Sequence, residues 1–272
     1  MRVFISADIA GIAGIVHREH TSRDGMEHDR ARMLMTEEVN ACIEGAIFCG
    51  AKEIVVNDSH GTMRNLIPEA LHEYADYITG SPKPLAMMEG IHSNYDAAIF
   101  LGYHSRMGNE GVLNHTFHGG VIENIKINNK DMGEFALNAG IAGHFGIPVV
   151  LVTGCQHTAT EALDIIPGIE MAVVKYTINR QSARNLSPQR ARNLIKEKTI
   201  ASLSRVSEIQ PVSMQGPFLV EVSYLHSGLA DAAGILPIVE KVNPKTHRFE
   251  TDDFITAFRY IRSLIAIAGA LN

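Results

Sequence analysis

Three short apolar runs in this chain each stop at a side chain that can bind a metal. VFISAD ends on Asp8, EIVVNDS leads to His60, and AAIFLGY leads to His104. Each run reads as a buried strand. In open α/β folds the carboxyl ends of parallel strands form the crevice where ligands bind. An Asp and two His delivered to that edge from three segments read as an assembled metal site. Their oxygen and nitrogen donors suit zinc and similar divalent ions.

The segments between these runs support the parallel arrangement. From Asp29 to Phe48 the apolar positions Met33, Leu34, Val39, Cys42, Ile43 and Ile47 recur at helical spacing, and Gly50 closes the helix. With a strand before it (2–8) and another after it (53–57), this is a βαβ unit. Residues 15–27 read as a loop. A short helix is expected over 64–75, a small strand at Tyr77–Thr79, and helix again in PLAMMEGI. Gly119–Asn128 alternates like a half-exposed strand, with a hairpin near Asn128-Asn129. Gly133–Phe145 is a small-residue helix, Pro148–Thr153 a fourth strong strand, and Ala159–Ile165 a helix.

Composition shifts near residue 167. MAVVKYT is a strand, Ser187-Pro188 starts a helix that runs to about Val206, and PFLVEVSY is a strand. Thr251 is the expected N-cap of a last helix over Asp252–Ala268. The expected class is α/β, with a mostly parallel sheet flanked by helices. A metal-site domain over 1–165 would carry a smaller α+β portion, 166–272, packed on it.

With 46% hydrophobic and 20% charged residues, the chain can fill a sizeable core. Net charge is −6 and no Lys/Arg run is present, which argues against a nucleic-acid partner. No apolar run approaches the roughly 20 residues that span a bilayer, and MRVFISAD is not a signal peptide. Cys42, Cys49 and Cys155 fit neither a disulfide framework nor a zinc ribbon, so the expected location is a reducing cytoplasm. There is no GxSxG elbow, no P-loop or GxGxxG after the first strand, and no HExxH.

Further candidates gather around the three strand ends. Glu134 opens the small-residue helix, where the dipole favours a carboxylate and aims it back at the strand ends. His115 and His118 lie in LNHTFHGG, whose glycines indicate a loop. A loop histidine beside a metal suits general-base work, although His118 reads equally well as a surface residue. His17 and His20 in HREH could pair on a metal, and Cys155, Gln156 and His157 follow the fourth strand. Taken singly, Asp8 also reads as a helix cap and His60 as a loop histidine beside the turn-forming Asp58.

Several blocks in order resemble the D-aminopeptidase family, peptidase family M55: SADIAGIAG (Ser6–Gly14), MTEEVNACIEGA (Met35–Ala46), VNDSHGTMRNL (Val56–Leu66), LGYHSR (Leu101–Arg106), NHTF (Asn114–Phe117), GEFALNAGIAG (Gly133–Gly143) and VKYTINRQSARNLSP (Val174–Pro188). The resemblance spans nearly the whole chain. It implies a two-zinc hydrolase that releases N-terminal D-amino acids from short peptides or amides. Asp8 would bridge the metals, His60 would serve the first, and His104 and Glu134 the second, with His115 as nucleophile or base. It also implies a ring-like homo-oligomer, a decamer, that admits only small peptides or amides.

One position departs from the family pattern. The SxDxEG motif supplies a glutamate ligand for the first metal, and here that position is Ala10. GCQH (Gly154–His157) departs as well, where an acidic pair is expected. Three outcomes follow. His17, Glu19, His20 or Cys155 replaces the ligand; one zinc, or Mn²⁺, works alone on Asp8, His104 and Glu134; or the chain only binds a peptide or amino-acid derivative. A hydrolase for a different small amide is a further alternative.

Overall fold

The protein is described by a computed structural model covering residues 1–92 and 94–270. Its first half runs β1 (Arg2–Ala7), α1 (Arg18–Thr21), α2 (His28–Phe48), β2 (Glu53–Asp58), β3 (Asp76–Ile78), β4 (Ala97–Leu101), β5 (Ile122–Ile127), β6 (Lys130–Asp131) and α3 (Glu134–His144). The second half runs β7 (Val149–Cys155), α4 (Gln156–Ile165), β8 (Glu170–Asn179), β9 (Ser182–Asn185), α5 (Pro188–Ser204), β10 (Phe218–Tyr224), α6 (Ser227–Ala233), β11 (Glu240–Asn243), β12 (Thr246–Thr251) and α7 (Phe254–Gly269).

A seven-stranded sheet has the order β3-β2-β1-β4-β7-β8-β9. All its pairs are parallel except the β8–β9 hairpin at one edge. β4 is wholly apolar and β1 is apolar apart from Arg2 and Ser6, and both are buried along almost their full length, as strands covered on both faces must be. The chain builds outward from β1 to β2 and β3, then returns to lay β4 on the other flank of β1. The β1/β4 seam is therefore a topological switch point, where loops at the carboxyl ends diverge and leave a crevice.

Two glycines let those loops approach. Gly11 N–H donates to the Gly102 carbonyl at 2.7 Å. A Cβ on Gly11 would lie 2.0 Å from the Tyr103 oxygen, and one on Gly102 (φ +69°) would lie 2.1 Å from the Asp8 oxygen. No other residue fits either place.

A second, antiparallel sheet has the order β11-β12-β10-β5-β6. The two sheets do not divide the chain at residue 165. β8 and β9 complete the first sheet, while β5 and β6 sit in the second. Hydrogen-bonded pairing between strands far apart in sequence decides this, and composition does not register it.

Local expectations are corrected in four places. The 15–27 segment contains α1, the 64–75 segment holds only a short 3-10 turn at Pro68–Ala70, and PLAMMEGI is a 3-10 turn at Ala86–Met88. The last helix is capped by Asp253, not Thr251: the Asp253 carboxylate accepts the Thr256 N–H at 2.7 Å. No described helix is long and apolar enough to cross a membrane.

Candidate metal centre

Strand order sets β2, β1 and β4 side by side, so His60, Asp8 and His104 emerge as neighbours. The loop after β2 is shaped by Asp58. Its carboxylate accepts the Asn65 and Leu66 N–H groups and the Asn65 side chain, and that side chain also donates to the His60 carbonyl. Asp58 is thus a turn builder, and it holds His60 in place.

Asp8 is 2% exposed. One oxygen, Oδ1, lies 2.8 Å from His60 Nδ1. The other, Oδ2, has no hydrogen-bond partner among the described residues, and it lies 3.6 Å from His104 Nε2. His104 Nε2 is also 3.3 Å from Glu134 Oε1. His115 joins from its own loop, with Nε2 3.6 Å from the same Glu134 oxygen and its ring stacked on His104 at 3.9 Å. Glu134 stands at the first turn of α3, buried, and accepts the Phe117 N–H.

The two inner histidines share one design. His104 Nδ1 donates to the Ser105 carbonyl at 3.0 Å, and His115 Nδ1 donates to the Leu113 carbonyl at 2.8 Å. Each Nδ1–H is thereby anchored, and each Nε2 is turned into the same small space. Metal-binding imidazoles are held in this way. His104, His115 and Glu134 place ligand atoms within 4.8 Å of one another.

Burial and the neighbouring charges oppose each other at these groups. Burial would lower His104, but Glu134 and Asp8 outweigh it and lift its pKa to about 9. Burial would raise Glu134, but His104 and His115 hold it down to about 2. Burial and the adjacent His104 charge push His115 down to about 4, so it is neutral at pH 7.

His60 is arranged differently. Nδ1 faces Asp8 and Nε2 donates to the Thr21 carbonyl at 3.0 Å. Burial opposes its charge, yet the Asp8 hydrogen bond and field raise its pKa. Both ring nitrogens are committed, and the adjacent Ala10 offers only a methyl group.

The structure brings Asp8, His60, His104, His115 and Glu134 together. It does not bring in the groups that sequence reasoning offered as a substitute ligand. His17 Nδ1 accepts the Glu19 N–H, and His20 Nδ1 accepts the His17 N–H, so HREH is a capping box for α1. The Glu19 carboxylate accepts the Met26 N–H. Cys155 contacts Thr158, the Gln156 side chain accepts the Thr177 N–H, and His157 pairs with Glu110.

Sequence reasoning missed Lys175, which is 0% exposed. Its ammonium donates to the carbonyls of Ala10, Ile12 and Ile15 at 2.6, 3.1 and 2.7 Å. The Glu38 carboxylate meanwhile accepts the Ala13 N–H. Together they fasten the loop that follows Asp8. The available signal was a lysine inside an apolar strand, MAVVKYT.

A cavity of about 720 Å³ opens over His60 and His115, with Ala10, Phe117, Arg18 and Arg180 among its walls. The buried Asp8 and Glu134 contact the His60 and His115 side chains that line it. Its volume suits a short peptide.

A sequence profile of the M55 peptidase family, described as D-aminopeptidase, matches residues 1–263. The D-aminopeptidase of Bacillus subtilis (strain 168) is 35% identical over 269 residues, covering 98% of each chain. A solved structure, the Zn-dependent D-aminopeptidase DppA from Bacillus subtilis, described as a self-compartmentalizing protease, superposes with a TM-score of 0.96 at 34% identity. That match covers 99% of this chain and 98% of the other.

Proposed function

The chain belongs to the M55 D-aminopeptidase family, and on that basis we propose that it is a zinc-dependent aminopeptidase that removes N-terminal D-residues from short peptides or amides. The observation that carries this reading is Asp8 Oδ2. It is a buried carboxylate oxygen without a hydrogen-bond partner, facing an imidazole whose proton a cation can replace. Leaving such an atom unsatisfied is costly, and a bound cation satisfies it.

Asp8, His104 and Glu134 would hold the zinc, three protein groups as is usual for a catalytic ion. Zinc bound there would supply Lewis-acid polarisation of the scissile carbonyl and a water of lowered pKa. His115 is kept neutral, and its Nε2 takes the proton and passes it to the leaving amine. His60, hydrogen-bonded through both nitrogens, fixes the Asp8 carboxylate. A second ion alongside would lack the glutamate ligand that Ala10 replaces, so one zinc per chain is the expected stoichiometry.

The ring-like assembly follows from the self-compartmentalizing relative, and ten copies is the number expected. Met26, Phe48, Ile178 and Ile235 are 95%, 74%, 69% and 78% exposed, and subunit contacts would cover such side chains. Light scattering of the purified chain measures the number.

The decisive experiment loads the purified chain with Zn²⁺ and measures bound metal together with hydrolysis of D-alaninamide and D-alanyl-D-alanine against their L forms. Turnover of the D forms is expected, with metal and activity both lost in His104→Ala. No turnover with Zn²⁺ or Mn²⁺ would leave the peptide-binding alternative. Unchanged metal content in His104→Ala would refute the ligand set.

A further inference from the structure

Two guanidinium groups, Arg18 and Arg180, line the cavity over the metal centre, and among the described residues no carboxylate does. In a chain with net charge −6, this local excess of positive charge favours an anionic group on whatever enters.

The two arginines are held differently. Arg18 sits on the four-residue α1, which buries none of its residues, and its Nε donates to Ser22. Arg180 lies at the tip of the β8–β9 hairpin. Its Nε donates to Asn114 Oδ1 at 3.0 Å and its Nη2 to the Asn114 carbonyl at 3.3 Å. The Arg180 carbonyl accepts the Leu113 N–H at 2.8 Å. His115 is the next residue along that segment, and its Nδ1 rests on the Leu113 carbonyl. The guanidinium and the His115 ring are therefore anchored on one hydrogen-bonded unit.

Asn114 takes two of the guanidinium's five N–H donors, which leaves three for a ligand. A planar fork of donors suits a carboxylate. An ion pair at a water-exposed site usually contributes little because both side chains must be ordered. Here the hydrogen bonds to Asn114 order the guanidinium in advance.

We propose that Arg180 binds the free α-carboxylate of a short peptide substrate. The proposal rests on the aminopeptidase reading and adds a substrate class, namely peptides of a few residues with an unblocked C-terminus. A peptide with its first carbonyl at the metal centre carries its own terminal carboxylate a residue or two further on, within the same cavity. Longer chains, and chains amidated at the end, forgo this pair.

The test compares D-alanyl-D-alanine with D-alanyl-D-alaninamide, which share the scissile bond and differ in the carboxylate. The readout is the ratio of kcat/KM for acid over amide, in wild type, Arg180→Met and Arg180→Lys, with zinc content measured in each. The ratio is expected to fall about tenfold in Arg180→Met, or about 1.4 kcal/mol, mainly through KM for the acid. Arg180→Lys recovers part of it. A ratio within about twofold of wild type in Arg180→Met overturns the proposal, including the case where both substrates decline together through a disturbed Asn114. If wild type cleaves neither compound, the aminopeptidase reading fails separately. The same ratio criterion is then applied to dissociation constants measured by calorimetry.

Discussion

Replacing Lys175 by Met tests how the site is held. The substitution keeps side-chain length and removes three donors to the carbonyls of Ala10, Ile12 and Ile15. Hydrogen bonds from a charged donor contribute about 1.5–3 kcal/mol each, so the loss is about 4 to 9 kcal/mol. Against this, burial holds the Lys175 pKa at about 8 instead of 10.5, and removing the ammonium relieves about 3 kcal/mol. The net destabilisation expected is about 3 kcal/mol, or about 5 to 10 °C in Tm for a chain of this size.

The pH dependence has a fixed sign. The folded-state pKa is depressed, so the unfolded chain binds more protons between pH 8 and 10.5. Stability then rises with pH across that window, and the wild-type advantage over Lys175→Met grows with it. Urea unfolding at pH 7 and pH 10 measures both effects, and zinc titration measures a third, because the loop freed by the substitution carries Asp8 at its start. A variant within about 1 kcal/mol of wild type, with unchanged zinc affinity, would refute the idea that Lys175 holds this loop.

Other predictions follow from the same geometry. Glu38, 3% exposed, has its pKa raised by burial from 4.5 to about 7. Wild-type stability relative to Glu38→Gln should therefore fall by about 3 kcal/mol as pH rises from 4.5 to 7, and a flat difference in urea unfolding would contradict this. Zinc must displace the proton that His104 holds up to about pH 9, so binding at pH 7 should release about one proton. Calorimetry in buffers of different ionisation enthalpy counts it, and no release would disprove His104 as a ligand. Ala10→Glu adds a carboxylate beside His60 and Asp8. Elemental analysis should show bound zinc rising from one to two per chain, and a count that stays at one would show that the Thr21 hydrogen bond, not the missing ligand, keeps His60 away from a metal.

Much of the architecture was legible along the chain because its strands are buried on both faces. Such strands appear as unbroken apolar runs, so β1, β2, β4 and β7 and the polar residues at their ends were visible. The long helix α2 was visible from its spacing, and α3 from its small residues and N-terminal carboxylate. Shorter elements were not. The 3-10 turns at Pro68–Ala70 and Ala86–Met88 have no repeating face, and α1 is stabilised by histidine side chains acting as caps.

By itself, then, the sequence determined a parallel α/β fold, a set of metal-ligating side chains at its strand ends, and the alanine at position 10. Tertiary structure decided which strands are neighbours, and so which side chains meet. It seated His115 against Glu134, tied His60 to the Thr21 carbonyl, and turned Lys175 into a fastening for the Asp8 loop. The reason is physical. Local patterning reports whether a residue is buried, whereas the state of a buried titratable group depends on what faces it across the fold. Those partners lie 52, 39 and 165 residues away for Asp8–His60, His60–Thr21 and Lys175–Ala10.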